Sequence, residues 1–210
     1  MFDWSSHIRR CLAGTGPSLP ADDLLLPGLS AEQSRAYRQY FPAAPIPAAV
    51  LIPLIERESG LTVLLTERAT QLKNHAGQIS FPGGRIEAGD ASAEAAALRE
   101  AHEEIGLEPH LVSVAGYLPD HIVISGFRVT PVVGFVRPAF QLQLDSFEVA
   151  NTFEVPLAHV FDPANHQVRP RRIGGGAIEL QMRDIPYGEH TIWGATAGML
   201  LTLHRLCAVQ

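Results

Sequence analysis

The sequence has few of the residues on which several classes of protein depend. It contains only two cysteines, Cys11 and Cys207, and no C-x-x-C pair. This excludes a cysteine-only zinc site and a disulfide-rich scaffold, and it favours a reducing compartment. No apolar run approaches the roughly 18 residues of a transmembrane helix, and the first residues show no signal-peptide core. We therefore expect a cytoplasmic protein with no membrane partner.

Basic residues and catalytic histidine or serine patterns are also scarce. Lys and Arg number 16 against 22 Asp and Glu, which gives a formal net charge of −6. This acidic balance argues against a nucleic-acid partner, because such binding requires a basic face. The sequence has no H-x-x-x-H spacing and no G-x-S-x-G motif. Zinc-protease and serine-hydrolase chemistry are therefore not expected.

The length predicts one main domain with an additional segment. At about 150 residues a domain, the 210 residues divide into an N-terminal extension, 1–43, packed on a core domain, 44–210. Two β-rich runs from Ala48 onward, separated by the turn 57–60, predict a hairpin. Pro53 lies inside the first run and predicts an edge strand or a bulge. The polar, glycine-rich segment 71–89 predicts a long functional loop.

The remaining elements alternate between helix and strand. The clearest helix is Ala91–Ile105, with Asp90 or Ser92 as its N-cap and Gly106 as its left-handed stop. Further elements are predicted as strands near Ser113–Leu118, Arg128–Val136 and Ile178–Arg183, a helix within Met1–Ala13, a helix from Ser30 to Tyr40, and a final helix near Trp193–Leu206. This alternation predicts an α/β fold with a mixed sheet flanked by helices.

Three carboxylates are concentrated on one turn of the clearest helix. Glu100, Glu103 and Glu104 are spaced i, i+3, i+4 and lie on the same face. They repel one another, and they lie toward the helix C-terminus, where the dipole disfavours anions. A hard divalent cation removes both objections. A solvated acidic face is the alternative, and the preceding glycine loop and the adjacent Arg99 favour the metal site.

The segment from Gly84 to Leu107 resembles the Nudix box. The usual form of the box is G, five residues, E, seven residues, then R-E-U-x-E-E-x-G-U, where U is apolar. The run 99–107 (REAHEEIGL) matches the second half. Asp90 stands where Glu is usual, and one additional residue separates Gly84 from Arg99. The resemblance implies a Nudix-type α/β/α sandwich with a mixed β-sheet that hydrolyses a nucleoside diphosphate linked to another moiety.

The resemblance also implies roles for the charged residues of the box. In the family the helix glutamates bind Mg²⁺ or Mn²⁺, a role carried here onto Glu100, Glu103 and Glu104, with Arg99 as the organiser of Glu100. Such ions screen the diphosphate charge and activate water for attack. The general base varies across the family. Glu100 and Glu148 are both candidates here, and a solvated turn glutamate is the alternative interpretation of Glu148.

The loop before the box resembles a motif of the coenzyme A diphosphatase branch of the family. That motif is L-L-T-x-R-[S/A], three residues, R, three residues, G, three residues, F-P-G-G. Residues 64–84 match it except that Lys73 replaces the second Arg. The implied substrate-binding residues are Arg68, Lys73, Gly77, Phe81, Gly83 and Gly84. For Arg68 the alternative is a structural pair with a nearby Glu.

The substrate implied is coenzyme A or an acyl-CoA, cleaved to 3′,5′-ADP and 4′-phosphopantetheine or its acylated form. One alternative is a broader pyrophosphatase that acts on ADP-ribose or NADH. Another is a nucleotide-binding module that keeps the fold without catalysis, although such modules usually lose the metal glutamates. The expected partner is a small molecule, and a homodimer is left open.

Overall fold

The computed structural model describes residues 3–17, 44–72, 75–123, 125–138, 140–173 and 178–208. Two sequence predictions lie outside these ranges: the helix from Ser30 to Tyr40 and the substrate role of Lys73. The boundary between an extension and a core domain at residues 43 and 44 stays a prediction.

The described residues form four helices and eleven strands, with 3₁₀ turns at Pro109–Leu111 and Pro163–Asn165. The helices are α1 (Trp4–Leu12), α2 (Ala93–Ile105), α3 (Leu157–Phe161) and α4 (Gly194–Leu206). The strands are β1 (Ile46–Arg57), β2 (Gly60–Arg68), β3 (Ile79–Ser80), β4 (Gly83–Arg85), β5 (Val112–Tyr117), β6 (His121–Ile122), β7 (Phe127–Val136), β8 (Val149–Pro156), β9 (Gln167–Ile173), β10 (Ile178–Tyr187) and β11 (His190–Ile192).

Strand β1 is the centre of the main sheet. It pairs antiparallel with β2 and β4 and parallel with β7. Over the described residues the sheet has eight strands in the order β3-β2-β1-β7-β5, and β4, β6 and β8 pair with β1, β7 and β2. A second, antiparallel sheet has the order β11-β10-β9. The predicted hairpin and the predicted mixed sheet are therefore confirmed.

Helices cover both faces of the main sheet because the side chains of β1 alternate between two apolar clusters. On one face, β1 residues pack with the small side chains of α2: Ala49, Leu51 and Ile55 against Ala96, Ala97 and Ala101. On the other face they pack with α1, α3 and α4: Ile52 and Leu54 in one cluster with Ile8, Leu12, Leu157, Leu200 and Leu203. A strand buried on both faces has the nearly continuous apolar sequence of β1. The predicted α/β/α sandwich is confirmed.

The prediction that Pro53 marks an edge or a bulge is wrong. Pro53 lies in the central strand, opposite Gly134 of β7. On the other side of β1, pairing with β4 covers Ala48–Val50, and pairing with β2 begins only at Leu54. Pro53 falls between these two paired segments, so its missing N–H costs no ladder bond there.

Part of the segment 71–89, residues 75–89, is more ordered than the predicted loop. It contains β3, which pairs with the end of β2, and β4, which pairs with β1. Gly83 in β4 has φ +156°, and a Cβ there would clash with the Ala49 carbonyl oxygen and the Val50 backbone. β3 has only two residues and β4 only three, two of which are glycines with low β-propensity. Their pairing with β2 and β1 is therefore not evident from the local sequence.

The N-terminal helix packs on the core and brings the two cysteines into one region. Ile8 and Leu12 of α1 are fully buried. His7 Nε2 lies 3.1 Å from the Cys207 carbonyl oxygen and 3.5 Å from Cys11 Sγ, and both thiols are free. Within the described ranges, no helix is long and apolar enough to cross a membrane.

Candidate active site

Helix α2 presents the carboxylates because its other face is made of alanine. Ala96, Ala97 and Ala101 are fully buried against the sheet. The Ser92 side chain accepts a hydrogen bond from the backbone N–H of Ala95 at 3.1 Å, and Gly106 ends the helix at φ +68°. Both caps match the prediction, and the helix begins two residues later than predicted because Ser92, not Asp90, is the cap.

Glu100 and Glu104 face the glycine pair of β4. Glu104 is almost fully buried, and its Oε2 accepts a hydrogen bond from the Gly83 N–H at 3.2 Å. Glu100 lies directly over Gly84, where a Cβ would come within 2.5 Å of the Glu100 Cδ. The glycines therefore form a cradle that holds these two carboxylates against the sheet.

Arg99 organises the other side of the carboxylate face. Its Nε and one terminal nitrogen each donate to Asp90 at 3.0 Å, and the other terminal nitrogen donates to Glu100 and Glu103 at 2.9 Å. The remaining hydrogen bond goes to the Arg85 carbonyl at 3.1 Å. Arg99 therefore organises Glu100, as the resemblance implied, and also fixes Glu103 and Asp90.

Sequence reasoning missed the role of Asp90. The fork from Arg99 holds the pKa of the Asp90 carboxyl below its usual range. The signal was present in the sequence, because Asp90 stands at the box position usually occupied by Glu. Its pairing nine residues away with Arg99 depends on how the loop enters α2, which composition does not reveal.

Burial raises the pKa values of Glu100 and Glu104, the two carboxyls held by the glycine cradle. Burial raises the pKa of Glu104 to about 8, against the lowering effects of the Gly83 hydrogen bond and the Arg68 charge. Burial also raises the pKa of Glu100, and the hydrogen bond from Arg99 opposes this shift. The nearby negative charge of Glu148 contributes to both increases. A bound cation would favour the charged form of both groups.

Glu148 joins this site from another part of the chain. It ends the turn before β8, and its carbonyl oxygen accepts a hydrogen bond from the Ala69 N–H at 2.8 Å. The side chain is exposed, and its charge acts on Glu100 and Glu104. The structure therefore brings Glu148 to the carboxylate face, and its role as general base remains a prediction.

Arg68 ends β2 beside the same carboxylates. One terminal nitrogen lies 3.9 Å from Glu104 Oε1, so the pair with a nearby glutamate that the sequence left open is present. The Arg68 Nε is buried and has no hydrogen-bond partner. A buried donor without a partner is costly, and the Arg68 side chain as a whole is 27% exposed.

The other residues of the loop motif have different positions. Gly77, at φ +68°, donates its N–H to the Arg68 carbonyl at 3.0 Å and so shapes the loop beside Arg68. Phe81 is only 3% exposed and belongs to the apolar core. Its side chain has almost no free surface, and the substrate role of Phe81 stays a prediction.

The carboxylate face fits a divalent cation through its donor chemistry. Glu100 and Glu104 are carboxylates held close to the sheet, and oxygen donors of this kind suit Mg²⁺ or Mn²⁺. Within the ranges described, no three acidic, histidine or cysteine side chains converge into a metal cluster. Glu103 is 56% exposed, and its Oε2 accepts a hydrogen bond from Arg99 at 2.9 Å.

Comparison with known proteins decides the family. The model of the NUDIX domain matches residues 45–173, more than half of the chain. The chain belongs to the Nudix family. A protein named "Uncharacterized Nudix hydrolase NudL" in Enterobacter sp. (strain 638) is 42% identical over 157 residues, covering 74% of this chain and 80% of that protein. A protein of the same name in Escherichia coli (strain K12) is 42% identical over 159 residues, with the same coverage.

Solved Nudix structures are more distant. A MutT/nudix family protein from Enterococcus faecalis has a TM-score of 0.47 and 17% identity, covering 84% of this chain and 68% of its own. The Ap4A hydrolase of C. elegans has a TM-score of 0.46 and 20% identity, covering 53% and 80%. By its match to the domain model and its sequence relatives, this chain is a Nudix hydrolase of nucleoside diphosphate derivatives, a family that uses divalent ions such as Mg²⁺ or Mn²⁺.

Proposed function

We propose that this Nudix hydrolase cleaves the diphosphate of coenzyme A or an acyl-CoA. The products are 3′,5′-ADP and 4′-phosphopantetheine or its acylated form. The observation that carries the proposal is the loop motif of residues 64–84, which runs from the end of β2 to the glycine cradle under Glu100 and Glu104. The loop motif, which suggests coenzyme A as the substrate, therefore ends at the glycines that hold the carboxylates expected to bind the metal ion.

The geometry around Arg68 supports an anionic substrate. Its buried Nε has no partner, while one terminal nitrogen lies near Glu104. A guanidinium can donate two parallel hydrogen bonds to a phosphate. In this proposal Arg68, whose side chain is 27% exposed, binds a diphosphate oxygen through its guanidinium and keeps the substrate against the carboxylate face.

The remaining residues hold the site and accept a proton. Glu100, Glu103 and Glu104 would hold the Mg²⁺ or Mn²⁺, which supplies charge screening for the diphosphate and stabilises the leaving phosphate. Arg99 orients Glu100 and Glu103 through hydrogen bonds of 2.9 Å. Glu148 accepts the proton of the attacking water, because it is exposed beside this face while Glu100 is held by Arg99. No step requires a second protein.

Steady-state hydrolysis with Mg²⁺ tests the substrate. Coenzyme A, dephospho-coenzyme A, ADP-ribose and NADH are compared under identical conditions. We expect the highest kcat/KM for coenzyme A, with a clear loss on removal of the 3′-phosphate. A higher kcat/KM for ADP-ribose or NADH would reject coenzyme A as the substrate and support the broader pyrophosphatase.

Two variants test the roles of Lys73 and Glu148. Lys73→Arg restores the usual residue of the motif and is expected to keep or increase the preference for coenzyme A. Glu148→Gln has nearly the same size as the native residue but cannot accept a proton, so kcat should fall about 100-fold or more. If Glu148→Gln keeps wild-type kcat, the base is another residue, with Glu100 the remaining candidate.

A further inference from the structure

The most exposed apolar side chain of the described residues lies at the edge of the active site. Five large apolar side chains are exposed in those ranges, and Phe147 is the most exposed, at 77%. It is also the only aromatic residue among the five. Isolated exposed apolar residues are common on protein surfaces, so exposure alone carries no conclusion. Its position and the hydrogen-bonded turn that carries it set Phe147 apart.

The turn that carries Phe147 is fixed by several hydrogen bonds. The Phe147 N–H donates to Asp145 Oδ1 at 2.9 Å. The side-chain amide of Gln71 donates to the Ser146 carbonyl at 2.9 Å, and the Glu148 N–H donates to the Asp145 carbonyl at 3.0 Å. The aromatic ring is therefore presented to solvent by a braced backbone.

The same turn is joined directly to the carboxylate helix. The Asp145 N–H donates to the backbone carbonyl of Glu104 at 2.9 Å. Phe147 is the neighbour of Glu148, whose charge acts on Glu100 and Glu104. The turn that carries Phe147 therefore lies against α2 and, through the hydrogen bond from the Ala69 N–H to the Glu148 carbonyl, beside Arg68.

We propose that Phe147 is the stacking platform for the purine base of the nucleotide substrate. A nucleoside diphosphate places its base one ribose away from the phosphates, and a base stacks on any aromatic face that is offered to it. Because the backbone is already braced, only the few rotamers of the ring are restricted on binding. The pantetheine arm has no π-face and would gain only apolar contact. The identity of the nucleotide as an adenosine derivative rests on the proposed function.

The test separates stacking from simple apolar contact. Phe147→Ala removes the side chain, Phe147→Leu keeps apolar volume without a π-face, and Phe147→Trp restores one. Val168→Ala, at an exposed apolar residue of β9, is the matched control. For each full-length variant, KM and kcat for coenzyme A are measured with Mg²⁺. Calorimetry then gives the Kd for adenosine 3′,5′-diphosphate and for inorganic pyrophosphate.

We expect Phe147→Ala and Phe147→Leu to raise KM and the Kd for adenosine 3′,5′-diphosphate about tenfold, with kcat within about twofold. The Kd for pyrophosphate, which has no base, should not change, and Phe147→Trp should restore wild-type values. Val168→Ala should match the wild type throughout.

Several outcomes would overturn the inference. Wild-type behaviour of Phe147→Leu would mean apolar contact without stacking, and wild-type behaviour of Phe147→Ala would mean no contact. If the variants lost pyrophosphate binding as much as adenosine 3′,5′-diphosphate binding, the substitutions would have disturbed the turn. If the wild type did not bind adenosine 3′,5′-diphosphate, Phe147 would not be a platform for this nucleotide. If coenzyme A is not hydrolysed but the binding differences appear, the proposed substrate fails and the stacking platform stands.

Discussion

Substitution of Gly84 by alanine should remove activity while leaving the fold intact. A Cβ at Gly84 would lie 2.5 Å from the Glu100 Cδ and Oε1, whereas ordinary contacts begin at 3.4 Å. The carboxyl of Glu100 must therefore retreat by about 1 Å, and a misplacement of this size in an active site costs about 100-fold in rate. The backbone at Gly84 does not have the left-handed conformation that requires glycine, so alanine is tolerated there.

The assay pairs activity with thermal unfolding. For Gly84→Ala we expect kcat/KM to fall about 100-fold and Tm to change by no more than about 3 °C, since a change of 1 kcal/mol corresponds to about 2–4 °C at this size. Gly83→Ala is the matched control. Its Cβ would meet the backbone of β1 at a φ of +156°, so Tm should fall by about 5 °C or more. Wild-type activity of Gly84→Ala would refute the claim that Gly84 positions the Glu100 carboxylate for catalysis.

Three further predictions follow from the charged groups. Glu103→Gln should abolish turnover with an unchanged circular dichroism melt, because Glu103 is 56% exposed; retained turnover would exclude its metal role. Arg99→Lys should reduce kcat/KM about tenfold or more and lower the free energy of unfolding by about 1–2 kcal/mol. The reason is that lysine cannot donate the two parallel hydrogen bonds that Arg99 makes to Asp90. Arg57 lowers the pKa of Glu154, so Glu154→Gln should cost about 1 kcal/mol in urea unfolding at pH 7. That difference should vanish as the pH falls below 4.5 through the folded-state pKa; a constant difference would contradict the pairing.

Features set by local sequence were predictable. The caps of α2, Ser92 and Gly106, act over three or four residues, and the alanines between them have strong helix propensity. The hairpin of β1 and β2 follows from two β-rich runs and a short turn. The Nudix box could be recognised because its spacing places three glutamates on one helical turn.

Features set by packing were not predictable. The central position of Pro53 depends on where β4 pairing ends and β2 pairing begins. Glu103 and Glu104 differ in burial because consecutive residues lie about 100° apart around a helix, and only Glu104 meets the β4 glycines. Phe81 matches a substrate motif, yet the fold turns its side chain into the core. Each of these features depends on contacts between segments far apart in sequence, and local sequence patterns do not predict such contacts.

Identification of the products of coenzyme A tests the central claim most directly. The protein is incubated with coenzyme A and Mg²⁺, and the products are identified by mass spectrometry, with excess chelator and the Glu103→Gln variant as controls. We predict equal amounts of 3′,5′-ADP and 4′-phosphopantetheine from the wild type, and neither product from either control. Intact coenzyme A, or release of only the 3′-phosphate, would contradict the account.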